Sequence, residues 1–137
     1  MLQVGSQFNV SDNSGAKKVE CIKVLNKHPR SVALLGDLVV VSVKSLRSKG
    51  NLRVKKKDIC LGLIFRTKYK TKRFDGRFFN FSENSAILLN RSFKPFGTRF
   101  FGPVIKELRK QKKLKININQ INSLFTPIMV QQKLLEK

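Results

Sequence analysis

Five closely spaced cations are the residues of this sequence with the clearest binding chemistry: Arg66, Lys68, Lys70, Lys72 and Arg73. They follow the apolar run 61–65 and precede an Asp75-Gly76 pair, which is a strong turn signal between two strand-like runs. Alternate residues of a strand share one face, so a strand continuing through this stretch would align Arg66, Lys68, Lys70 and Lys72. Aligned cations on a rigid support bind phosphate groups. The stretch therefore predicts a phosphate-binding surface.

The charge of the whole chain indicates the same class of partner. Lys and Arg total 29 against 8 acidic residues, a formal net charge of +21 in 137 residues. Such an excess matches a polyanion, and nucleic acid is the obvious one. An anionic membrane surface is the weaker alternative, because no basic amphipathic helix dominates and no apolar run reaches transmembrane length. Hydrophobic residues at 41% predict a folded domain.

Catalytic and metal-binding patterns are weak in this sequence. Cys21 and Cys60 are far apart, no CxxC pair is present, and His28 is the single histidine. These residues predict free, buried thiols in a reducing compartment and no metal site. The carboxylates are scattered, and neither a nucleophile motif nor a Gly-rich phosphate loop is present. We therefore predict a protein that is not an enzyme and has no cofactor.

Short β-branched runs separated by turn residues predict a mainly β fold. The runs lie at residues 7–10, 17–25, 38–43, 58–65 and 86–89, with turns at 11–15, 36–37 and 75–76. This pattern favours a small closed or nearly closed β-barrel. The cation-rich residues 44–57 are predicted to form a basic β-ribbon or loop. Helical periodicity begins only at Pro103, with one helix predicted at 104–113 and a second at about 118–125.

Further candidates for nucleic-acid contact are spread along the chain. Arg99 lies between Gly97 and Gly102, which would let the backbone approach a partner closely. Tyr69, set among cations, could stack on an unpaired base, whereas Phe79 and Phe81 are more typical of core residues. A solvated basic face is the alternative interpretation for every cation. For Lys106 and Arg109, a further alternative is that they balance the dipole of the predicted helix. The remaining candidates are Lys17, Lys18, Lys49, Arg53, Lys55, Lys56, Lys57, Lys106 and Arg109.

Four blocks of the chain resemble one known family. They are NVSDNSGAKKVECIKVL at 9–25, GD with the valine-rich strand at 36–43, GLIFRTK followed by RFDGRFFNFSENSAILLN within 62–90, and GTRFFGPVIKELR at 97–109. Over about residues 1–120 the chain resembles the universal large-subunit ribosomal protein L-fourteen family. Phe65 stands where the family has an aliphatic residue and Ile87 where it has valine, and both are apolar exchanges.

The resemblance carries expectations about fold and function. It implies a five-stranded β-barrel with a projecting basic β-ribbon and short C-terminal α-helices. It also implies a structural constituent of the large ribosomal subunit that binds large-subunit ribosomal RNA and helps to form the intersubunit face. The implied partners are the L-three and L-nineteen family proteins, small-subunit ribosomal RNA at an intersubunit bridge, and a ribosome-silencing factor. No membrane insertion is implied.

Two other functions stay open on the residues alone. A free RNA-binding or single-stranded nucleic-acid-binding barrel, not stably held in the ribosome, would also be strongly basic. A protein that binds a membrane surface or an acidic protein would need the charge without any RNA-shaped surface.

The C-terminus and the composition suggest an organellar copy. We expect a ribosomal-protein domain at residues 1–120 and a divergent extension at 121–137, which could cover a neighbouring protein. Lys outnumbers Arg 20 to 9, and Asn, Ile and Phe, which have A/T-rich codons, are plentiful. This bias predicts a mitochondrial ribosome, with the bacterial cytoplasm or a plastid as alternatives. The first residues match neither a signal peptide nor a transit segment, so we expect synthesis at the site of work or loss of a presequence.

Overall fold

The computed structural model describes residues 2–28, 30–48, 50, 52–105 and 108. It contains seven strands: β1 Gln7–Val10, β2 Ala16–Val24, β3 Leu38–Leu46, β4 Ile59–Arg66, β5 Thr71–Lys72, β6 Phe78–Phe79 and β7 Ser85–Leu89. The described residues contain no α-helix. The helices predicted at 104–113 and 118–125 lie outside the described residues, apart from Val104, Ile105 and Leu108.

Five of the strands close into a barrel in the order β1-β2-β3-β4-β7. Neighbouring strands run antiparallel except for β1 and β7, which pair in parallel through Asn9 with Ser85 and Val10 with Ala86. The parallel pair closes the barrel, so both ends of the sheet are hydrogen-bonded to each other. The predicted five-stranded barrel is confirmed.

The remaining strands, β5 and β6, form a separate two-stranded ribbon between β4 and β7 in the chain. Its turn is at the predicted position, where Gly76 donates to the Arg73 carbonyl and the Asp75 carboxylate accepts from the Arg77 amide. A β-ribbon is therefore present at residues 71–79. By contrast, the described residues of 47–58 form turns and bends and not strands, so the basic segment there is a loop.

The Ser11–Gly15 turn is anchored to the opposite strand by one buried carboxylate. Asp12 accepts from the Ser14 amide at 2.8 Å and from the Ser14 hydroxyl, and its second oxygen accepts from the Leu88 amide at 2.9 Å. A buried carboxylate is stable only when its oxygens are hydrogen-bonded in this way. Asp12 therefore stabilises both the turn and its contact with β7.

Side chains on the inner face fill the barrel. Val39, Val41 and Val43 of β3 point inward, as the two-residue period of a strand requires. In β2 the alternation is interrupted by a register shift between Cys21 and Lys23. Because of this irregularity, Val24 is buried and Lys23 is exposed.

A second apolar cluster lies outside the barrel, over β4 and β7. Leu63 and Phe65 of β4 pack there with Ile87 and Leu89 of β7, and Phe100 and Val104 cover them. Both strands are thus buried on two faces, which explains their continuous apolar sequences. Phe79 and Phe81 belong to neither cluster. They are half-buried and contact each other edge to face at 6.0 Å, so the prediction that they lie in the core is wrong.

Candidate nucleic-acid interface

The basic loop, residues 47–58, presents lysines from a fixed base. Val54 is buried in the barrel core and anchors the loop from below. The Lys57 amide donates to the Val43 carbonyl at 2.8 Å, and the Asp58 carboxylate accepts from the Lys55 amide at 2.8 Å. The lysine side chains at 55, 56 and 57 are exposed. The loop therefore displays three consecutive cations without burying any of their charge.

Arg53 of the same loop divides its hydrogen bonds between structure and surface. Its amide donates to the Ser14 carbonyl at 2.9 Å, and its Nη1 donates to the Phe96 carbonyl at 2.6 Å. The residue is nevertheless exposed. A guanidinium has five N–H donors, so one internal bond leaves others that can reach a phosphate.

A second group of cations lies on and before the ribbon. Lys68, Lys70 and Lys72 are exposed, and Tyr69 is 46% exposed beside them. The Lys68 amide donates to the Asn84 side chain at 2.8 Å, which fixes the start of this segment. Tyr69 therefore combines an accessible ring with neighbouring cations, as a base-stacking residue requires.

Arg73 lies half-buried in the ribbon itself. Its guanidinium carbon is 4.9 Å from the centroid of the Phe79 ring, a cation–π contact between the residue that follows β5 and a residue of β6. This contact positions the charge against the aromatic face of the ribbon.

Arg66 does not belong to this surface. Strand β4 ends at Arg66 and residues 67–70 are not in a strand, so the condition for a common face of residues 66–72 is not met. The residue is only 8% exposed, and its Nη1 pairs with Glu83 Oε1 at 2.9 Å. Its Nη2 donates to the Phe101 carbonyl at 3.0 Å and to the Ser11 hydroxyl. Arg66 therefore cross-links the fold instead of facing a phosphate.

The surroundings of Arg66 change its acid–base behaviour. Burial lowers the pKa of the guanidinium, and the nearby Glu83 carboxylate opposes that change. Glu83 is itself held by the Asn9 side-chain amide at 2.9 Å. The Arg66–Glu83 pair and its hydrogen bonds therefore connect four parts of the chain. These are β1 through Asn9, β4 through Arg66, and the segments before and after β7.

The glycine segment, residues 97–102, is held against the 11–13 turn. The Asn13 side-chain oxygen accepts from the Thr98 amide at 2.7 Å and from the Arg99 amide at 3.2 Å. A Cβ atom at Gly97 would lie 2.8 Å from Asp12 Cβ, and one at Gly102, where φ is +89°, would lie 2.5 Å from Arg66 Nη1.

These distances give both glycines a role within the fold. Gly97 and Gly102 permit close approach of the backbone to the protein's own turn and to Arg66, and the approach to an external partner stays a prediction. Arg99, between them, remains exposed.

The other predicted cations complete the distribution. Lys17 and Lys18 are exposed at the start of β2. Three predicted contacts fall outside the described residues: Lys49, Lys106 and Arg109.

Every carboxylate in the described part of the chain has a partner within the fold. Asp12 accepts only from neighbouring donors of the turn and β7, and Glu83 is bound by Arg66 and Asn9. The others are Glu20 with Lys44, Asp37 with Lys27, Asp58 with the Lys55 amide, and Asp75 with the Arg77 amide. The described carboxylates are therefore bound to donors of the same chain, whereas the lysines at 55–57, 68, 70 and 72 are exposed.

The two cysteines are buried free thiols. Burial raises the pKa of the Cys60 thiol to about 11, and the charges of Asp58 and Asp12 act in the same direction. Burial also raises the pKa of Cys21, against a smaller opposing effect of a backbone hydrogen bond. Both thiols are therefore protonated at neutral pH and poorly nucleophilic.

Two structural findings concern other kinds of site. Within the described ranges, no group of three or more His, Cys, Asp or Glu residues is placed to hold a metal ion. The described residues also include no helix with the length and apolar character needed to cross a membrane.

Some residues that shape the surface carry no local signal in the sequence. Asn13 holds Thr98 of the glycine segment across 85 residues of chain, and Asn9 holds Glu83 across 74. Arg47 and Phe101 also meet, with the guanidinium carbon 5.8 Å from the ring centroid. Such long-range pairs become visible only once the barrel brings the segments together.

The closed barrel and the outward-facing cations define a small basic β-barrel protein. The model of the family described as ribosomal protein L14p/L23e matches residues 1–122 of this sequence. The chain therefore belongs to the ribosomal protein L14p/L23e family, which confirms the family resemblance found in the sequence. Members of this family are structural, non-enzymatic constituents of the large ribosomal subunit and associate with ribosomal RNA and other large-subunit proteins.

Proposed function

We propose that this protein binds large-subunit ribosomal RNA directly, through the basic loop, the cations at and before the ribbon, and Arg99. The supporting observation is the separation of charge: each described carboxylate is engaged inside the fold, and the lysines at 55–57, 68, 70 and 72 are exposed. The proposed contacts are Lys17, Lys18, Arg53, Lys55, Lys56, Lys57, Lys68, Tyr69, Lys70, Lys72, Arg73 and Arg99.

Four predicted residues are treated separately. Lys49, Lys106 and Arg109 remain candidates on the sequence alone. Arg66 is not among the proposed contacts, because it is buried and its Nη1 and Nη2 are directed to Glu83, Ser11 and Phe101.

The binding mechanism is electrostatic and geometric. Lysine ammonium groups act as strongly hydrated point charges, so they neutralise phosphates without demanding one fixed geometry. Each phosphate neutralised releases condensed counterions, which makes the affinity fall as salt concentration rises. The barrel contributes a support on which the cations keep their spacing when the RNA folds around them.

We also propose that the protein contributes to the intersubunit face and to a bridge with small-subunit ribosomal RNA, next to proteins of the L-three and L-nineteen families. Support for a protein neighbour comes from a groove of about 790 Å³ beside the ribbon, whose apolar lining includes Leu34, Phe74, Phe78 and Ile105. The proposed RNA contacts Lys70, Lys72 and Arg73 also line this groove, so the two partners would meet there. Phe74 is fully exposed and Phe78 is 62% exposed. Exposed aromatic patches of this kind mark protein interfaces. A ribosome-silencing factor is a further proposed partner.

The excess of Lys over Arg and of residues with A/T-rich codons supports a mitochondrial ribosome as the location, with a bacterial or plastid ribosome as the alternative.

We propose that the extension at 121–137, nearly all of which lies beyond the family match over residues 1–122, covers a neighbouring ribosomal protein. Deleting residues 126–137 should then reduce incorporation into large subunits, measured by gradient sedimentation. Unchanged subunit assembly and growth would contradict this role of the extension.

Gradient sedimentation with RNA crosslinking tests the main proposal. A tagged chain is expressed in its native compartment, the extract is crosslinked and fractionated, and RNA attached to the protein is sequenced. Co-migration with the large subunit and crosslinks in large-subunit ribosomal RNA are expected. Migration in light fractions with mixed RNAs would instead indicate a free nucleic-acid-binding barrel and overturn the proposed role.

A further inference from the structure

An open cleft lies where β1, the start of β2 and the end of β3 meet the glycine segment. Its volume is about 680 Å³, within the range of small-ligand sites. Its lining includes Asn9, Lys17, Arg47, Ser48 and Phe101. None of these residues except Lys17 belongs to the RNA-contact surface proposed above.

The cleft combines positive charge with a flat aromatic surface. Lys17 is exposed, and Arg47 is half-buried with its Nη2 donating to the Val10 carbonyl at 3.2 Å. Its guanidinium carbon lies 5.8 Å from the centroid of the Phe101 ring. Arg66 and Glu83 also line the cleft, but they pair with each other, so their charges largely cancel. The net charge facing the cleft is therefore positive.

Phe101 is exposed although its backbone is firmly held. The side chain is 48% exposed, whereas the neighbouring Phe100 is buried and provides the core contact of this segment. The Phe101 amide donates to the Ser11 carbonyl at 2.8 Å, and its carbonyl accepts from Arg66 Nη2 at 3.0 Å. The ring is thus presented to the cleft by a preorganised backbone, which lowers the entropic cost of binding a partner.

We propose that this cleft receives one unpaired nucleotide of RNA, with its base against Phe101 and its phosphate near Lys17 and Arg47. The inference rests on the proposed RNA-binding function and specifies a site within it. Base stacking on an aromatic ring is the usual way in which proteins hold an unpaired nucleotide, and the planar guanidinium of Arg47 offers a second stacking surface. The Ser48 hydroxyl and the Asn9 amide provide polar groups for the base edge or the ribose.

The cations that line the cleft favour a negatively charged ligand. An uncharged apolar ligand would leave Lys17 and Arg47 without a counter-charge, which a phosphate supplies. A duplex would present its bases stacked and paired, leaving none free to contact the Phe101 ring. An extruded nucleotide satisfies both the cations and the ring.

Filter binding of the full-length chain to a transcript of large-subunit ribosomal RNA tests the site. Phe101→Leu keeps an apolar side chain but removes the ring, and we expect a loss of affinity of about tenfold. Phe101→Tyr keeps the ring and should recover most of the affinity that Phe101→Leu loses. Phe93→Leu is the matched control, since Phe93 is an exposed phenylalanine outside the cleft, and it should have no effect.

Crosslinking supplies a second readout that a change in folding would not mimic. Irradiating the complex formed with 4-thiouridine-substituted transcript should give a nucleotide adduct on the peptide that contains Phe101. Chemical probing should find the crosslinked base unpaired. Equal affinities for Phe101→Leu and Phe93→Leu would overturn the site, and so would the absence of an adduct in this peptide.

The experiment distinguishes an error in the proposed nucleotide site from an error in the proposed RNA-binding function. If the unmodified chain binds the ribosomal transcript selectively and Phe101→Leu binds equally well, only the nucleotide site is wrong. If the unmodified chain does not prefer the transcript over unrelated single-stranded RNA, the proposed function itself is wrong.

Discussion

Arg66 shows how a cation in a basic sequence can serve the fold instead of the partner. Its ion pair with Glu83 and its hydrogen bonds to Ser11 and Phe101 join three parts of the chain. The sequence places Arg66 first in a run of surface cations, and nothing local distinguishes it from Lys68. Only its length, its planar donors and the position of Glu83 in the folded chain make it an internal cross-link.

Replacing this arginine should therefore destabilise the protein. Arg66→Met retains much of the apolar stem but leaves the Phe101 carbonyl without its Arg66 donor and Glu83 without its ion-pair partner. We expect the free energy of unfolding to fall by about 2 kcal/mol, since the pair is partly exposed at the Glu83 end. Urea denaturation measures this change.

A matched variant at the other partner separates the two contributions. Glu83→Gln keeps a hydrogen-bonding side chain next to Asn9 and Arg66, so its effect on the urea midpoint should be smaller. A midpoint unchanged by Arg66→Met would show that the buried guanidinium contributes nothing to stability.

Cys60 predicts a dependence of stability on alkaline pH. Burial raises the pKa of the Cys60 thiol to about 11 in the fold, above its ordinary value of 9.0, which we take for the unfolded chain. The stabilisation of the protonated thiol is complete below the unfolded pKa and is lost as the pH rises toward the folded one.

Urea unfolding at pH 8 and pH 10 tests this behaviour. The unmodified chain should lose stability between the two values, and Cys60→Ala should lose less, whatever its stability at pH 8. An identical loss in both proteins would mean that Cys60 does not titrate differently in the folded and unfolded states.

At the scale of the elements, the basic loop and the ribbon are each held by one set of contacts and expose a different set of side chains. Val54 and the backbone hydrogen bonds of Lys57 hold the loop, and the turn at Asp75 and Gly76 holds the ribbon. These anchors come from apolar packing and backbone hydrogen bonds, while the lysine side chains are exposed. The local order of both elements therefore does not depend on neutralising the charge.

The lysines on and before the ribbon, Lys68, Lys70 and Lys72, should account for part of the salt dependence of RNA binding. In the variant with Lys68, Lys70 and Lys72 replaced by Ala, affinity for the large-subunit transcript should fall. The slope of log affinity against log salt should lessen by about 0.7 to 0.9 for each phosphate that the variant no longer neutralises. Titrations at several salt concentrations measure this slope.

The control variant carries the same change in net charge elsewhere. Lys23, Arg30 and Arg91, which lie outside the proposed contact set and are exposed, are replaced by Ala. If both triple variants lower the slope equally, the ribbon has no special role and only total charge matters.

Much of the barrel could be predicted from the sequence, because its strands and turns have local signals. The valines of β3 and the turn at Asp12 to Gly15 follow from β-branched propensity and turn chemistry, and both are present as expected. Strand β4 extends through Arg66 in agreement with the predicted run at 58–65 to within one residue at each end.

The surface was less predictable, since it depends on contacts between distant segments. The sequence does not show that the folded chain places Asp12 against Gly97 and Arg66 against Gly102. Likewise, Phe79 and Phe81 have core-like spacing, but the ribbon that carries Phe79 is separate from the barrel sheet. Alternation indicates which residues share a face, and it does not indicate what covers that face.

For the whole molecule, the main electrostatic fact is a net charge of +21 on a small barrel. The described carboxylates are already used within the fold, so they offer little compensation to the exposed lysines. Self-repulsion of the charge opposes the compact state, and a polyanion or dissolved salt relieves it.

The isolated chain should therefore become more stable as salt is added. Between ionic strengths of about 0.01 M and about 0.15 M, screening shortens from about 30 Å to about 8 Å, and the melting temperature should rise. Affinity for the ribosomal transcript should fall over the same interval. Differential scanning calorimetry and filter binding measure the two trends, and a melting temperature that falls with salt would contradict the self-repulsion argument.

The parallel pairing of β1 with β7 also sets the order in which the chain can fold. The Asp12 carboxylate meets the Leu88 amide across 76 residues, so these contacts cannot form until that length of chain has been synthesised. Contacts of such long sequence separation slow folding, because the loop must close before any of its hydrogen bonds can stabilise it. Until then the emerging chain exposes the unpaired edge of β1, which can pair with another strand. A nascent copy is therefore most prone to aggregation just before β7 leaves the ribosome that is making it.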